Sequence, residues 1–198
     1  MASTNKRNWS YKTIVAFFCV LVMLAMVYIN LPLLWIKKAN RSIDNGDMDT
    51  ALTMFTRVIK YSTVNIWGHE DDQIKGYYGR GRVYERMKEY NKAIDDYNQY
   101  LAARSSPAEV FYHRGYCYLM LEDYKMAALD FSRYIEEDDY SFTAYYYRGY
   151  AHEMLDNTEM ALENYMKACE RGSPEGCNDY HRLQKELGEN GGSPGSVK

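Results

Sequence analysis

The chain has no charged residue between Thr13 and Ile36, and no acidic residue before Asp44. The uncharged run, TIVAFFCVLVMLAMVYINLPLLWI, is 24 residues long. As a helix it reaches about 36 Å, at about 1.5 Å per residue, enough to cross the hydrocarbon of a bilayer. A cleaved signal peptide is the alternative, but its apolar region is shorter and a small-x-small cleavage site follows it. No such site is present, and Cys19 lacks the small apolar lead-in of a lipoprotein signal. Residues 13–36 are therefore expected to form an uncleaved transmembrane anchor behind a basic tail, residues 1–12.

Clustered lysine and arginine are missing too. After Ile36, 21 basic residues face 27 acidic ones, a net charge of −6. That excludes a nucleic-acid partner, whose binding rests on basic patches. The four histidines, His69, His113, His152 and His181, are scattered and show no H-E-x-x-H spacing. There is no glycine-rich phosphate loop, nucleophile elbow or paired-cysteine redox motif. The acid runs Glu70-Asp71-Asp72 and Glu136-Glu137-Asp138-Asp139 read as solvated loop charge. No enzyme activity, cofactor, metal or small-molecule substrate is expected.

What the chain does have is a period. Tyr77-x2-Arg80-Gly81-x2-Tyr84 recurs as Phe111-x2-Arg114-Gly115-x2-Tyr118 and as Tyr145-x2-Arg148-Gly149-x2-His152. Ala93-x3-Tyr97-x2-Tyr100 keeps step with Ala127-x3-Phe131-x2-Tyr134 and Ala161-x3-Tyr165-x2-Ala168, always 34 residues on. A fixed period of this size marks a solenoid, in which each unit leaves an apolar face that its neighbour covers. Gly81, Gly115 and Gly149, with Ala93, Ala127 and Ala161 opposite, let the two helices of a copy approach closely. Aromatics then fill the space between copies.

These residues resemble the tetratricopeptide repeat, a pair of antiparallel helices with a large apolar residue at position 4, a small one at 8, an aromatic at 11, Ala at 20 and an aromatic at 24. The last copy departs at position 11, where His152 replaces the aromatic, and the family's proline at position 32 is absent. The resemblance implies an all-α solenoid of about 3.5–4 repeats with a capping helix, here preceded by the transmembrane helix. Three copies fall at 74–107, 108–141 and 142–173. A degenerate first copy spans 32–61, with Trp35, Ala39, Ala51 and Phe55 at positions 4, 8, 20 and 24, and Pro32 at position 1, where proline suits a helix start. The anchor is expected to abut or fuse with this copy near Pro32, so that the array sits on the membrane surface. Residues 62–73 are an inserted loop whose Ile66 and Trp67 either pack back on the array or touch a partner. Ser173, Pro174 and Glu175 read as the start of a capping helix over 174–188, stopped by Gly188. The Gly- and Ser-rich residues 189–198 are expected to be disordered.

Position 7 holds Arg80, Arg114 and Arg148, where the family usually has an apolar residue. An anion-binding stripe is one reading. The favoured one is a structural pair inside each repeat, because position 23 holds Asp96, Asp130 and Asn164. Cys117 takes a small core position. The run from Cys169 to Cys177 resembles the related Sel1-like repeats, where cysteines at this spacing can close a disulfide. A bridge there favours an oxidising compartment, and two reduced small residues are the alternative. Flanking charge leaves orientation tied, with Lys6, Arg7 and Lys12 on one side and Lys37, Lys38 and Arg41 on the other.

In the resembled family, ligand peptides lie along the first helix of each repeat. The matching residues here are Tyr78, Arg82 and Arg86 in one copy. The next copy supplies Tyr112, His113, Tyr116 and Met120, and the last supplies Tyr146, Tyr147, Tyr150 and Met154. Tyrosine beside arginine suits protein recognition. The Lys and Asn with which one branch of the family clamps chaperone carboxylates are replaced here by Tyr and Arg, so chaperone-tail capture is not expected. The resemblance thus implies a membrane-anchored interaction module, a scaffold or assembly factor for a protein partner in a membrane complex. The alternatives are a permanent accessory subunit and a cytosol-facing import-type receptor. The bacterial inner membrane with periplasmic repeats is the expected location, and repeats facing the cytoplasm are the alternative.

Overall fold

The computed structural model describes residues 11–64, 70–103 and 108–189, without the side chains of residues 12, 24–29 and 64. Most of the basic tail, Ile66 and Trp67 of the inserted loop, and the tail beyond Glu189 lie outside the described residues. Those that are described form nine α-helices and no strand, in two units, Met1–Gln73 and Ile74–Lys198.

The first unit is a helical hairpin. Helix α1 (Tyr11–Asp44) runs without a break through Pro32, so the uncharged run and the first repeat helix are one helix. Pro32 is therefore inside a helix, not at its start, and is fully buried. It cannot donate to the carbonyl one turn earlier, yet the ladder resumes after it. Asp47 N–H donates to Ser42 O at 2.8 Å and Gly46, at φ +77°, to Ile43 O at 3.1 Å. This paired closure needs the left-handed residue that glycine supplies. The Asp47 carboxylate then accepts from Thr50 N–H at 3.0 Å and starts α2 (Met48–Val64). Ala39 and Ala51, both fully buried, share a core with Ile43, Phe55 and Val58. Trp35 meets Tyr61 edge to face at 5.5 Å. Among the described residues, no helix is long and apolar enough to cross a membrane. Along the uncharged run, the described side chains such as Phe18 and Met23 are 66% and 67% exposed.

The second unit stacks α3 (Glu70–Arg86), α4 (Tyr90–Ala103), α5 (Ala108–Met120), α6 (Tyr124–Glu137), α7 (Phe142–Glu153), α8 (Thr158–Glu170) and α9 (Pro174–Glu189). From α4 on, each helix packs on the next, within a repeat for α5–α6 and α7–α8 and between repeats for α4–α5 and α6–α7. Two acid runs are not loop charge. Glu70, Asp71 and Asp72 form the first turn of α3, where carboxylates complement the helix dipole. Asp138 caps α6 and accepts from Tyr134 OH at 2.7 Å, while Asp139 accepts from Tyr145 OH and from Arg171 at 2.9 Å.

The aromatic at position 24 fills the space between repeats, Tyr97 stacking on His113 at 6.1 Å and Phe131 meeting Tyr147 at 5.7 Å. It also lies over the glycine of its own repeat. A Cβ on Gly81 would meet the Tyr97 ring at 2.7 Å, and one on Gly149 the Tyr165 ring at 2.9 Å. Tyr97, Phe131 and Tyr165 are fully buried. Close helix approach and a buried ring are one arrangement, because the missing side chain makes room for the ring.

Candidate partner-binding groove

The first helices of the repeats, α3, α5 and α7, carry the tyrosines. Successive rings touch across helix boundaries. Tyr78 lies 6.0 Å from His113, Tyr112 lies 5.7 Å from His113, and Tyr112 lies 6.3 Å from Tyr147. Tyr147 in turn meets Tyr116 and Tyr146, both at 5.7 Å. Tyr150 meets Tyr124 of α6 at 6.3 Å. All these rings are part-buried. Met120 and Met154 are each 40% exposed, and Arg86 is exposed at the end of α3. They flank the row without joining it. Burial pushes the phenols of Tyr78, Tyr112 and Tyr146 up to about 12. Near neutral pH they stay neutral and keep a donor.

At the α3–α5 end the row opens into a cleft of about 390 Å³. Tyr78, Arg82, Tyr112 and His113 line it, joined by Glu109, Tyr134, Ser141 and Thr143. Beside it, Glu85 Oε2 accepts from Tyr97 OH at 2.7 Å and lies 3.0 Å from His113 Nδ1. Glu153 repeats this on α7, accepting from Tyr165 OH at 2.6 Å and pairing with Arg182 of α9 at 2.8 Å.

The tyrosine row read from the sequence leaves out Glu85, Glu109, Glu153 and Tyr134. A signal for two of them exists. Position 12 reads Glu85, Leu119, Glu153 while position 24 reads Tyr97, Phe131, Tyr165. A carboxylate stands wherever the buried ring carries a hydroxyl.

The arginine row points elsewhere, to α4, α6 and α8. Arg80 forks onto Asp96 with two bonds of 2.7 Å, and Arg114 onto Asp130 at 2.7 and 2.8 Å. Arg148 donates to Asn164 at 2.7 Å. Arg114 also reaches back to Asn98 at 2.6 Å and Arg148 to Ser132 at 3.1 Å, each in the preceding repeat. The guanidiniums of Arg80 and Arg114 lie between the rings at positions 4 and 11 of their repeats, at 5.7–5.9 Å from each. In the last repeat His152 takes the second ring's place. Burial and the nearby Arg148 lower its pKa.

A disulfide joins Cys169 to Cys177, with the Cα atoms 4.5 Å apart, across the turn from α8 to α9. Gly176 lets α9 approach, since a Cβ there would meet Ala168 Cβ at 2.8 Å. Ser173 caps α9 by accepting from Gly176 N–H at 3.0 Å. Cys117 is fully buried and reduced, and burial raises its thiol pKa.

Residues 78–142 match a family model described as tetratricopeptide repeat. No curated protein matches the chain. Among solved structures, MamA 41-end from Desulfovibrio magneticus RS-1 is similar at 16% identity and TM-score 0.68, over 83% of this chain and 98% of that one. YrrB, a protein of the same repeat type with an unusual peptide-binding site, aligns at 19% identity and TM-score 0.67, over 81% of this chain and 78% of its own. The first repeat domain of Spaghetti, solved with an HSP90 peptide, aligns at 22% identity and TM-score 0.54, over 58% of this chain and 93% of its own. The chain has the tetratricopeptide repeat fold, and residues 78–142 match the model of that family itself.

Proposed function

We propose that the chain is a membrane-anchored interaction module that binds a protein partner through the tyrosine groove of α3, α5 and α7. The observation that carries the reading is the row of half-buried tyrosine rings running from Tyr78 to Tyr146 across three helices. Rigid aromatic area of this kind anchors protein interfaces. Peptide binding by YrrB and Spaghetti, which share the fold, supports it. Changing Tyr112, Tyr116, Tyr146 and Tyr150 to Ala together is expected to abolish co-purification of the partner from detergent-solubilised cells, with helix content unchanged by circular dichroism. Undiminished recovery of the same partner would remove the groove from the reading.

The anchor is proposed from the uncharged 24-residue run, whose described apolar side chains are exposed along α1. The Cys169–Cys177 disulfide supports an oxidising side for the repeats, as in the periplasm behind a bacterial inner membrane. Labelling with a membrane-impermeant maleimide is expected to modify these cysteines from the periplasmic side, and only after reduction. Labelling from the cytoplasmic side without reductant would place the repeats in the cytoplasm. One observation favours the accessory-subunit reading. Leu129 of α6 and Met160 and Met166 of α8, on the second helices of their repeats, are 37–44% exposed. A partner held there survives the fourfold tyrosine variant.

A further inference from the structure

The cleft at the α3–α5 end has a charge of its own. Three carboxylates stand around it. Glu109 is exposed and only 3.5 Å from Tyr78 OH, and among the described residues it has no ion-pair partner. Glu85 holds Tyr97 OH and His113 at 2.7 and 3.0 Å. Asp138 holds Tyr134 OH at 2.7 Å, drawing that ring to the rim. Among the described residues, Arg82 is the arginine that lines the cleft, with its guanidinium 5.9 Å from the Tyr78 ring. Tyr112 and Tyr134 pack 5.3 Å apart, tilted by 55°, and both border the opening.

Aromatic faces attract cations through the ring quadrupole, and a carboxylate nearby supplies the counter-charge. Within this one molecule the combination already recurs at Arg80 and Arg114, each between two rings and forked onto an aspartate. In the cleft the rings are in place and Glu109 lines it, with Glu85 and Asp138 directly behind His113 and Tyr134, so that among the described residues three acids stand against Arg82. We propose that this cleft takes the arginine side chain of a partner peptide, with Glu109 receiving the guanidinium and Tyr112 and Tyr134 flanking it. Arginine fits better than lysine because its planar fork can stack and pair at once. The inference rests on the groove reading and adds to it the chemistry of the occupant.

The test uses the full chain in detergent micelles and four capped peptides, Gly-Ser-X-Ser-Gly, with X as arginine, lysine, citrulline or glutamate, read by ligand-observed NMR titration. The arginine peptide is expected to bind most tightly. Citrulline, of the same shape without the charge, is expected to bind about ten-fold more weakly or not at all, by the strength of charge-assisted bonds. Glu109→Gln, at an exposed position, is expected to weaken the arginine peptide about three- to ten-fold. Arg82→Ala leaves it unchanged or tighter. Equal binding of the citrulline peptide overturns the proposal. So does preference for the glutamate peptide that Arg82→Ala abolishes, or binding of none of the four. Loss of partner in the fourfold tyrosine variant, together with any of those results, keeps the groove and discards only the arginine.

Discussion

Asp130→Ala is expected to destabilise the repeat array by about 3–5 kcal/mol, the cost of leaving a buried charge without its partner. Asp130 is fully buried, and Arg114 is 8% exposed. The guanidinium is held between Phe111 and Tyr118 and has two of its bonds on Asp130. Asn98 alone would remain to receive it. Thermal unfolding by circular dichroism should show a fall in Tm on the order of 10 °C or more. The double variant Arg114→Met, Asp130→Leu separates two explanations. A buried pair replaced by apolar groups of similar volume often loses little, so the double variant should be clearly more stable than Asp130→Ala. If it is as unstable as the single variant, the pair matters through the neighbours it orders, chiefly Asn98, and not through its own charge.

Glu85→Leu is expected to cost about 1–3 kcal/mol, because it strands the buried hydroxyl of Tyr97. Tyr97→Phe has the converse fault and leaves a carboxylate that is 18% exposed with His113 as its remaining partner. Making both changes copies the pair that the next repeat already uses, Leu119 with Phe131. The double variant should recover most of the loss, giving a coupling of about 1–2 kcal/mol in a denaturant cycle, in the range for residues in contact. Additive losses would mean that the ring and the acid act separately. The same exchange at Glu153 and Tyr165 is not equivalent, since the acid there also holds Arg182 of α9.

The solenoid was legible because every copy buries the same positions. A glycine under a ring and a guanidinium on an acid or amide repeat at 34-residue intervals, so three copies report one geometry. What was not legible has physical reasons. Pro32 reads as a helix start because proline tolerates that position, yet here packing carries α1 straight through it. Glu70–Asp72 read as loop because acids are soluble, although acids also favour a helix's first turn. Asp139 reads the same way, and its partner Arg171 lies 32 residues further on. No local pattern reveals a contact at that separation. In the groove, the tyrosines recur from copy to copy, whereas the acids that set the charge of the cleft do not. Glu109 has no counterpart in the sister copies, and Glu85 looks like drift until it is read beside Tyr97.

Arg114 and Arg148 each grip two repeats at once, their own acid or amide and an Asn98 or Ser132 one repeat earlier. In a linear array, such ties raise the nearest-neighbour term relative to the stability of a single hairpin. Melting should then spread across both seams together, and slow-exchanging amides of α4 to α8 should open as a block, not one hairpin at a time.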